Sequence, residues 1–321
     1  MQYQISLNQR KKEKRQELRE AQPFNTTITI AGNFVQLKSY NYQHDPWLLH
    51  KNRTHYDKSP DGIRTERSLN RTRNNAMLLI ESNITRFTKF ITFTTAEPIY
   101  DPEQWHTEWH NFRRRFKRTF GYPLKYIKVI EGQKKRKAKF NLPGEPLHAH
   151  LVVFSDKYIP IYELQACWGL GTIHIEKVKS SDVGLYLMKY ITKDNDFVAL
   201  NKKGYYSSAK LKQPQTIKTN DIIAYNPEGF NKTYPVKIPD RDGLYCTLQE
   251  TRSSMITLEN LRTGETLTTD IRNIPSALKN LLNLAGASEV QLADLSELGS
   301  PPTKKSEIQA NSEKTSPKFA F

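Results

Sequence analysis

Two histidines separated by one residue lie in a short apolar segment, residues 147–154. The sequence Leu-His-Ala-His-Leu-Val-Val-Phe is typical of a buried β-strand. Because side chains two positions apart leave the same face of a strand, His148 and His150 are predicted to lie close enough to share one divalent cation. The alternatives are a pair of hydrogen-bonded core histidines and an exposed polar strand face.

A carboxylate from the preceding strand is the predicted third ligand. In an antiparallel hairpin, Glu131 at the end of one strand lies near His148 at the start of the next. Glu145 is the competing ligand because it precedes His148 by three positions, although it adjoins a proline in the turn. Two neutral imidazoles and one carboxylate leave coordination positions open for water and substrate. This donor set suits Mn²⁺ or Mg²⁺ acting as a Lewis acid on a phosphate.

A second segment, residues 186–193, is predicted to form a helix with two unlike sides. At about 100° per residue, one side is aliphatic, and the other carries two phenols and two ammonium groups. These polar side chains are Tyr186, Lys189, Tyr190 and Lys193. Core packing of the tyrosines and an ordinary surface helix with extended lysines are the alternatives. A metal site and a tyrosine flanked by cations are together what phosphodiester transesterification requires.

The charge of the chain favours a polyanionic partner. Lysine and arginine number 49 against 33 acidic residues, and the formal net charge is +16. Nucleic acid is therefore the first candidate. Only two cysteines occur, Cys167 and Cys246, so a disulfide framework or a cysteine-based zinc site is not expected. No apolar run approaches about 18 residues, so we expect a soluble protein without a membrane partner, in the cytoplasm of a bacterial host.

The pattern of strands and helices from residue 90 onward predicts an α+β fold. Predicted elements follow the order β-α-β-β-α-β, which is that of a ferredoxin-like antiparallel sheet. Their ranges are 90–95, 103–120, 126–131, 147–154, 161–168 and 172–178. We divide the chain into a basic, irregular N-terminal extension with a helix over 67–80 (residues 1–85), a catalytic domain (86–205), a small β-rich domain (206–285) and a disordered tail (286–321).

Two further stretches, one with two histidines and one rich in basic residues, each have two interpretations. His106 and His110, at i and i+4 on a predicted helix, have a spacing that can bind zinc, but the order differs from that of metalloproteases and a solvated helix face is the better interpretation. Residues 132–146 are predicted to form a basic hairpin that either clamps a DNA backbone or is simply solvated. The chain contains no GxxxxGK[ST] motif, so we expect no fused ATP-driven helicase.

Taken in order, these motifs resemble the HUH-endonuclease superfamily, specifically the rolling-circle replication initiator (Rep) proteins of plasmids and single-stranded-DNA phages. The resemblance spans about Arg67 to Asp194. Residues 90–94 are similar to the family's first motif, His148-Ala149-His150 to its histidine motif, and residues 186–190 to its tyrosine-lysine motif. The alanine between the histidines is smaller than the usual residue. Tyrosines that follow the histidines favour a Rep-like or transposase-like enzyme over a conjugative relaxase.

The resemblance implies a metal-dependent, site-specific DNA endonuclease and strand transferase. A tyrosine would attack the scissile phosphate, giving a 5′-phosphotyrosine and a free 3′-hydroxyl that primes rolling-circle replication. Tyr186 and Tyr190 resemble the pair in two-tyrosine members, and Tyr186 is preferred if one alone is catalytic, since its spacing to Lys189 matches the single-tyrosine motif. The implied partners are single-stranded DNA at a replication origin and the host helicase and polymerase.

Two other functions fit the same residues. An HUH-type transposase would use identical chemistry on transposon ends. A noncatalytic protein would bind single-stranded nucleic acid through aromatic side chains on an RRM-like sheet, and its tyrosines would then be structural.

Overall fold

The structure is a computed structural model, and it combines five helices with fourteen strands in the part of the chain that it describes. Apart from a few single positions before residue 22, the described residues are 23–45, 66–176, 187, 189–191, 204–220, 222–225, 232–237, 245–284 and 291–294. The helices are α1 (Glu66–Glu81), α2 (Pro102–Phe120), α3 (Lys134–Phe140), α4 (Ile161–Trp168) and α5 (Ile274–Leu284), with a 3₁₀ turn at Ile271–Asn273.

Among the described residues, all strand pairings are antiparallel, and they form three sheets. The mixed α+β class predicted from the sequence is confirmed. The strands are β1 (Phe24–Ala31), β2 (Phe34–His44), β3 (Lys89–Phe93), β4 (Lys125–Gly132), β5 (Leu147–Phe154), β6 (Ile173–Glu176), β7 (Tyr206–Ser207), β8 (Gln215–Thr219), β9 (Ile222–Tyr225), β10 (Lys232–Lys237), β11 (Tyr245–Arg252), β12 (Met255–Asn260), β13 (Thr266–Asp270) and β14 (Gln291–Asp294).

A five-stranded sheet carries the predicted metal ligands. Its strand order is β6-β3-β5-β4-β7. Since strand side chains alternate between faces, each strand supplies two different cores. Residues such as Phe93, Ile130 and Leu151 pack with α2 and α4 on one face. On the opposite face, Ile127 and Val152 pack with α1 and with residues 187 and 191. The sheet is therefore covered on both sides.

Helix α2 forms where the sequence combines a capping residue, an apolar stripe and a stop signal. Asp101 accepts hydrogen bonds from the backbone N–H groups of Glu103 and Gln104, and Pro102 occupies the first turn. The buried aromatic residues are spaced at i, i+4, i+7 and i+11: Trp105, Trp109, Phe112 and Phe116. Gly121, with φ of 76°, ends the helix in the left-handed conformation that glycine tolerates.

The structure differs from the sequence-based expectation near the N-terminus. Strands β1 and β2 form a hairpin within residues that we expected to be irregular. The alternation Thr27-Ile28-Thr29-Ile30 followed by Gly32-Asn33 is typical of a strand and its turn, and this signal was overlooked in a polar segment. The hairpin joins a six-stranded sheet of order β10-β11-β2-β1-β8-β14, which shares a core with the β9-β12-β13 sheet and α5.

This six-stranded sheet unites residues from segments that we had separated. It contains β1 and β2 from the predicted extension, three strands from the predicted β-rich domain, and β14 from the predicted disordered tail. Tail residues 286–290 and 295–321 lie outside the described residues. The four-segment division of the chain remains a prediction.

Helix α1 lies between the five-stranded sheet and the N-terminal hairpin of the six-stranded sheet. Its residues Leu69 and Ile80 pack on the five-stranded sheet. Met77 and Leu78 pack against Phe34 and Ala31 of the N-terminal hairpin. At its C-terminal end, Glu81 accepts a 2.6 Å hydrogen bond from Arg252 of β11. Although burial raises the pKa of Glu81, the contact with Arg252 lowers it in part, which favours the charged pair.

The two cysteines and the lengths of the helices bear on disulfide formation and on membrane insertion. Cys167 and Cys246 are both buried and free, so no disulfide links them. No helix among the described residues has the length and apolar character needed to span a bilayer.

The aromatic core beneath α2 should dominate the stability of the five-stranded sheet. Phe112 is fully buried and contacts the rings of Phe93, Trp109 and Trp168. We expect Phe112→Ala to lower the free energy of unfolding by about 3–5 kcal/mol, because it leaves a cavity. Tyr162→Ala, at an 86% exposed position on α4, should change it by less than about 0.5 kcal/mol. Urea denaturation followed by circular dichroism measures both, and equal effects would contradict this description of the core.

Candidate metal and tyrosine site

The register of β4 against β5 brings the three predicted metal ligands together. Glu131 lies directly opposite His148 in the ladder, and His150 follows two positions later on the same face. Glu131 Oε1 is 2.8 Å from His148 Nε2 and 3.1 Å from His150 Nε2. The two Nε2 atoms are 3.2 Å apart. Among the described residues, these three form a group able to hold a metal ion.

The distances between the donor atoms fit a six-coordinate divalent ion. An octahedral ion with bonds of about 2.1 Å requires neighbouring ligand atoms to lie about 3.0 Å apart. The three separations of 2.8, 3.1 and 3.2 Å bracket this value. The histidine side chains are 12% and 7% exposed, whereas Glu131 is 28% exposed, so the group is accessible from one side. Three protein donors leave further positions for water or substrate.

Residues next to the ligands orient both imidazole rings. Thr92 Oγ1 on β3 lies 3.0 Å from His150 Nδ1, and Gln133 Nε2 lies 3.1 Å from His148 Nδ1. Contacts at Nδ1 fix the rings with their Nε2 atoms directed at Glu131. The sequence did not predict that Thr92 and Gln133 orient the imidazole rings. Thr92 could have been found from strand pairing, because it lies opposite His150 in the β3–β5 ladder.

Electrostatics keep Glu131 and His150 in the protonation states that a metal requires. Burial raises the pKa of Glu131, but hydrogen bonds from His148 and His150 outweigh this and bring the pKa to about 2. Burial lowers the pKa of His150, and the hydrogen bond with Glu131 offsets the change only in part. Near neutral pH, Glu131 is therefore a carboxylate and His150 a neutral imidazole, which are the forms that bind cations.

A tyrosine ring covers the metal group. The ring of Tyr190 stacks on His150 with a centroid distance of 3.7 Å and an interplanar angle of 18°. Phe90 lies near both rings, at 6.1 Å from Tyr190 and 5.7 Å from His150. Of the predicted catalytic residues, the structure thus places Tyr190 beside the ligands.

The segment that carries Tyr190 is anchored on both sides of this residue. Leu187 and Ile191 are fully buried in the core beneath α1. Arg73 of α1 donates a 2.8 Å hydrogen bond from Nε to the carbonyl oxygen of Ile191. The role of Arg73 could not be inferred from the sequence, since it depends on how α1 packs on the sheet. Lys189 is exposed, whereas Tyr186 and Lys193 lie outside the described residues.

Other candidates from the sequence lie away from this group. His106 and His110 are on α2, which packs on the opposite face of the sheet, and they do not form a three-residue metal group among the described residues. Glu145 does not belong to the metal group either; its carboxylate lies where a side chain on Gly132 would project.

The basic segment between β4 and β5 is not the simple hairpin loop that we predicted. It contains the short helix α3, because residues 134–140 lack glycine, proline and β-branched residues. Arg136 donates hydrogen bonds of 2.7 Å and 2.6 Å to the carbonyl oxygens of Thr95 and Ala96. The charge of Arg136 therefore ties α3 to the loop after β3, whereas the neighbouring Lys134, Lys135 and Lys137 are exposed.

Fold and site together define an α+β protein with antiparallel sheets and a candidate His/His/Glu metal centre. Residues 88–195 match a family model whose description is that of a replication-associated protein. The predicted resemblance to plasmid and phage Rep proteins is confirmed over this segment, which is about a third of the chain. No match is found among curated proteins or among solved structures. Helix α1 and the six-stranded sheet lie largely outside the matched segment.

Metal binding provides the direct test of this group. We expect His148→Ala to weaken Mn²⁺ binding at least about tenfold, because it removes one of three donors. His174→Ala is the matched control, since the side chain of His174 is 74% exposed on β6 and lies outside the metal group. Electron paramagnetic resonance measures the concentration of free Mn²⁺ during a titration. Unchanged affinity in His148→Ala would remove this residue from the ligand set.

Proposed function

We propose that this protein initiates rolling-circle replication by nicking and joining single-stranded DNA at an origin. The observation that carries the proposal is the stacking of the Tyr190 ring on His150, which forms the candidate metal group with Glu131 and His148. A nucleophile beside a site suited to a divalent ion is the arrangement that metal-assisted attack on a phosphodiester requires. The match of residues 88–195 to a replication-associated family supports the same function.

The topology supports an HUH-type core. With the strands numbered in chain order, the order of β6, β3, β5 and β4 in the sheet is 4-1-3-2, and all neighbours are antiparallel. A ferredoxin-like βαββαβ sheet has this strand order and two helices on one face, so the order and the packing of α2 and α4 on one face support the proposed core. The histidine strand is central, so its position is fixed by a neighbour on each side.

The residues of this chain divide the proposed reaction between them. Glu131, His148 and His150 would hold Mn²⁺ or Mg²⁺, which supplies Lewis-acid polarisation of the scissile phosphate when bound. The phenol oxygen of Tyr190 or Tyr186 attacks phosphorus and loses its proton. The bond from phosphorus to the 3′ oxygen breaks, and the leaving oxygen takes up a proton. A 5′-phosphotyrosine and a free 3′-hydroxyl result.

Cationic side chains assist the phenol. An unperturbed phenol has a pKa of about 10, so attack near neutral pH is favoured by nearby positive charge. We assign this role, or that of holding the phosphate, to Lys189 and Lys193. The second tyrosine accepts the strand when the reaction terminates. Once the 3′-hydroxyl is free, the host polymerase extends it while the host helicase separates the strands, in the cytoplasm of the bacterial host.

Loss of the tyrosine hydroxyls should abolish covalent attachment. We expect wild-type protein with Mn²⁺ to form an adduct with a 3′-labelled single-stranded DNA that contains the origin of its replicon. The double variant Tyr186→Phe/Tyr190→Phe should form none, because no phenol oxygen is available. Tyr162→Phe, at an exposed position on α4, should react like wild type. Denaturing gel electrophoresis detects the adduct.

The same assay separates an enzyme from a noncatalytic binding protein. If wild type binds the origin strand but forms no adduct with either metal ion, the transesterification mechanism is wrong and the noncatalytic alternative is favoured. The single variants Tyr186→Phe and Tyr190→Phe, assayed together, show which hydroxyl makes the first cut.

Arg73 should position the tyrosine segment without touching the metal. We expect Arg73→Gln to slow adduct formation about tenfold or more, because small displacements of a nucleophile are costly. Mn²⁺ affinity should remain unchanged. Arg71→Gln, with the same charge change at an exposed position on α1, should have little effect on either quantity. A parallel loss of Mn²⁺ binding in Arg73→Gln would show instead that the substitution disrupts the whole face of the sheet.

A further inference from the structure

The face of the sheet opposite the metal group contains a buried lysine that has no acidic partner among the described residues. Lys128 on β4 is 1% exposed, and its side chain points toward α2 along with Tyr126 and Ile130. Its Nζ lies 4.5 Å from the ring centroid of Trp109 and 5.2 Å from that of Tyr206, the residue paired with it on β7. Within the described part of the chain, no carboxylate forms an ion pair with Lys128.

A buried cation without a counter-ion is costly, and here the structure compensates only in part. The two aromatic faces attract the ammonium group. Burial, followed by the charge of Arg113, lowers the pKa of Lys128 to about 7. Lysines are rarely fully buried unless they are paired, so this position requires an explanation beyond packing.

Further basic side chains lie around Lys128 on the same side of α2. His106, His110 and Arg113 are spaced at i, i+4 and i+7 and form a stripe along the helix. The ring of His106 lies 5.1 Å from that of Tyr206, and the guanidinium of Arg113 lies 5.9 Å from the ring centroid of Tyr126. Burial lowers the pKa of His110, and Arg113, Lys128 and Arg114 lower it further.

We name Lys128, Arg113 and His110, with the aromatic ring of Tyr206, the back-face basic cluster. None of its three basic residues has an ion-pair partner among the residues that the structure describes. Arg115 differs, because its guanidinium is occupied by the carbonyl oxygens of Cys167 and Trp168 at the end of α4. Glu103 is the nearby acid, and its charge acts on Tyr206.

We propose that the back-face basic cluster binds a backbone phosphate of single-stranded nucleic acid, with Arg113 in contact with the phosphate and the buried Lys128 adding positive charge beneath it. A phosphate supplies the missing negative charge, and the half-buried ring of Tyr206 offers a face on which a base can stack. This contact is separate from the metal and tyrosine site, since the two lie on opposite faces of the same sheet. It would hold a stretch of strand that is not being cut. The choice of nucleic acid as the source of the phosphate rests on the proposed function.

The test is equilibrium binding of the full-length protein to a fluorescent single-stranded oligonucleotide in EDTA, which prevents cleavage. Fluorescence anisotropy at several salt concentrations gives both affinity and its salt dependence. Loss of one phosphate contact should reduce the slope of log K against log[salt] by about 0.7, which corresponds to about fivefold weaker binding at 0.1 M salt. We expect this result for Arg113→Gln, and a smaller loss of affinity for Lys128→Met, because the buried ammonium group acts on the phosphate through its charge and not through direct contact.

Two controls make the result specific. Arg118→Gln removes the same charge from an exposed position on the last turn of α2, and it should change the slope less than Arg113→Gln does. Lys128→Met removes a buried unpaired charge, so its midpoint of thermal unfolding should equal or exceed that of wild type. Weaker binding by a variant that is at least as stable excludes misfolding as the cause.

Two outcomes would contradict the proposed phosphate contact. If Arg113→Gln and Lys128→Met bind the oligonucleotide as wild type does, the cluster is not a nucleic-acid contact and the proposal fails. The proposal also fails if two results occur together: calorimetry shows that inorganic phosphate binds wild type but not Lys128→Met, and anisotropy shows that both proteins bind the oligonucleotide with the same affinity. The ligand is then a free anion. Because binding is measured without cleavage, a failure of the covalent adduct assay leaves this result unaffected.

Discussion

The pairing of β4 with β5 is the constraint on which the rest of the site depends. It sets Glu131 opposite His148 and thereby brings one carboxylate oxygen within 3.1 Å of two imidazole nitrogens. A slip of one residue would turn Glu131 toward α2 and bring Lys128 to the metal face, because side chains alternate along a strand. The buried residues on both faces oppose such a slip: Tyr126 and Ile130 belong to one core, and Ile127 and Val129 to the other.

Covering the sheet on both sides gives each face a different electrostatic character. The face beneath α1 places a carboxylate among histidines, which suits a cation. On the face beneath α2, basic residues are gathered among aromatic rings, which suits an anion. Helix α1 lies outside the segment that matches the replication-associated family, yet Arg73 and the buried residues of α1 hold the backbone next to Tyr190. The candidate site therefore depends on parts of the chain beyond the matched segment.

Apart from α3, the strands and helices between residues 89 and 176 could be predicted almost to their ends, because their signals are local. Asp101 and Gly121 mark the ends of α2, and β5 matches the predicted range of 147–154. The β1–β2 hairpin was missed because its apolar residues are few and are interleaved with threonines. The helix α3 was missed because a run of basic residues without an apolar stripe has no periodic pattern by which to distinguish a helix from a loop.

By itself, the sequence determined the α+β class, the resemblance to Rep proteins and the three candidate ligands, since residue type, spacing and strand alternation are properties of adjacent positions. Only the tertiary structure decided that Tyr190 stacks on His150, that Thr92 and Gln133 orient the imidazoles, and that Arg73 reaches the carbonyl of Ile191. These contacts join residues 15 to 118 positions apart. Such pairs meet only after the sheet has formed and its two faces have been covered, and no local pattern in the chain encodes their distances.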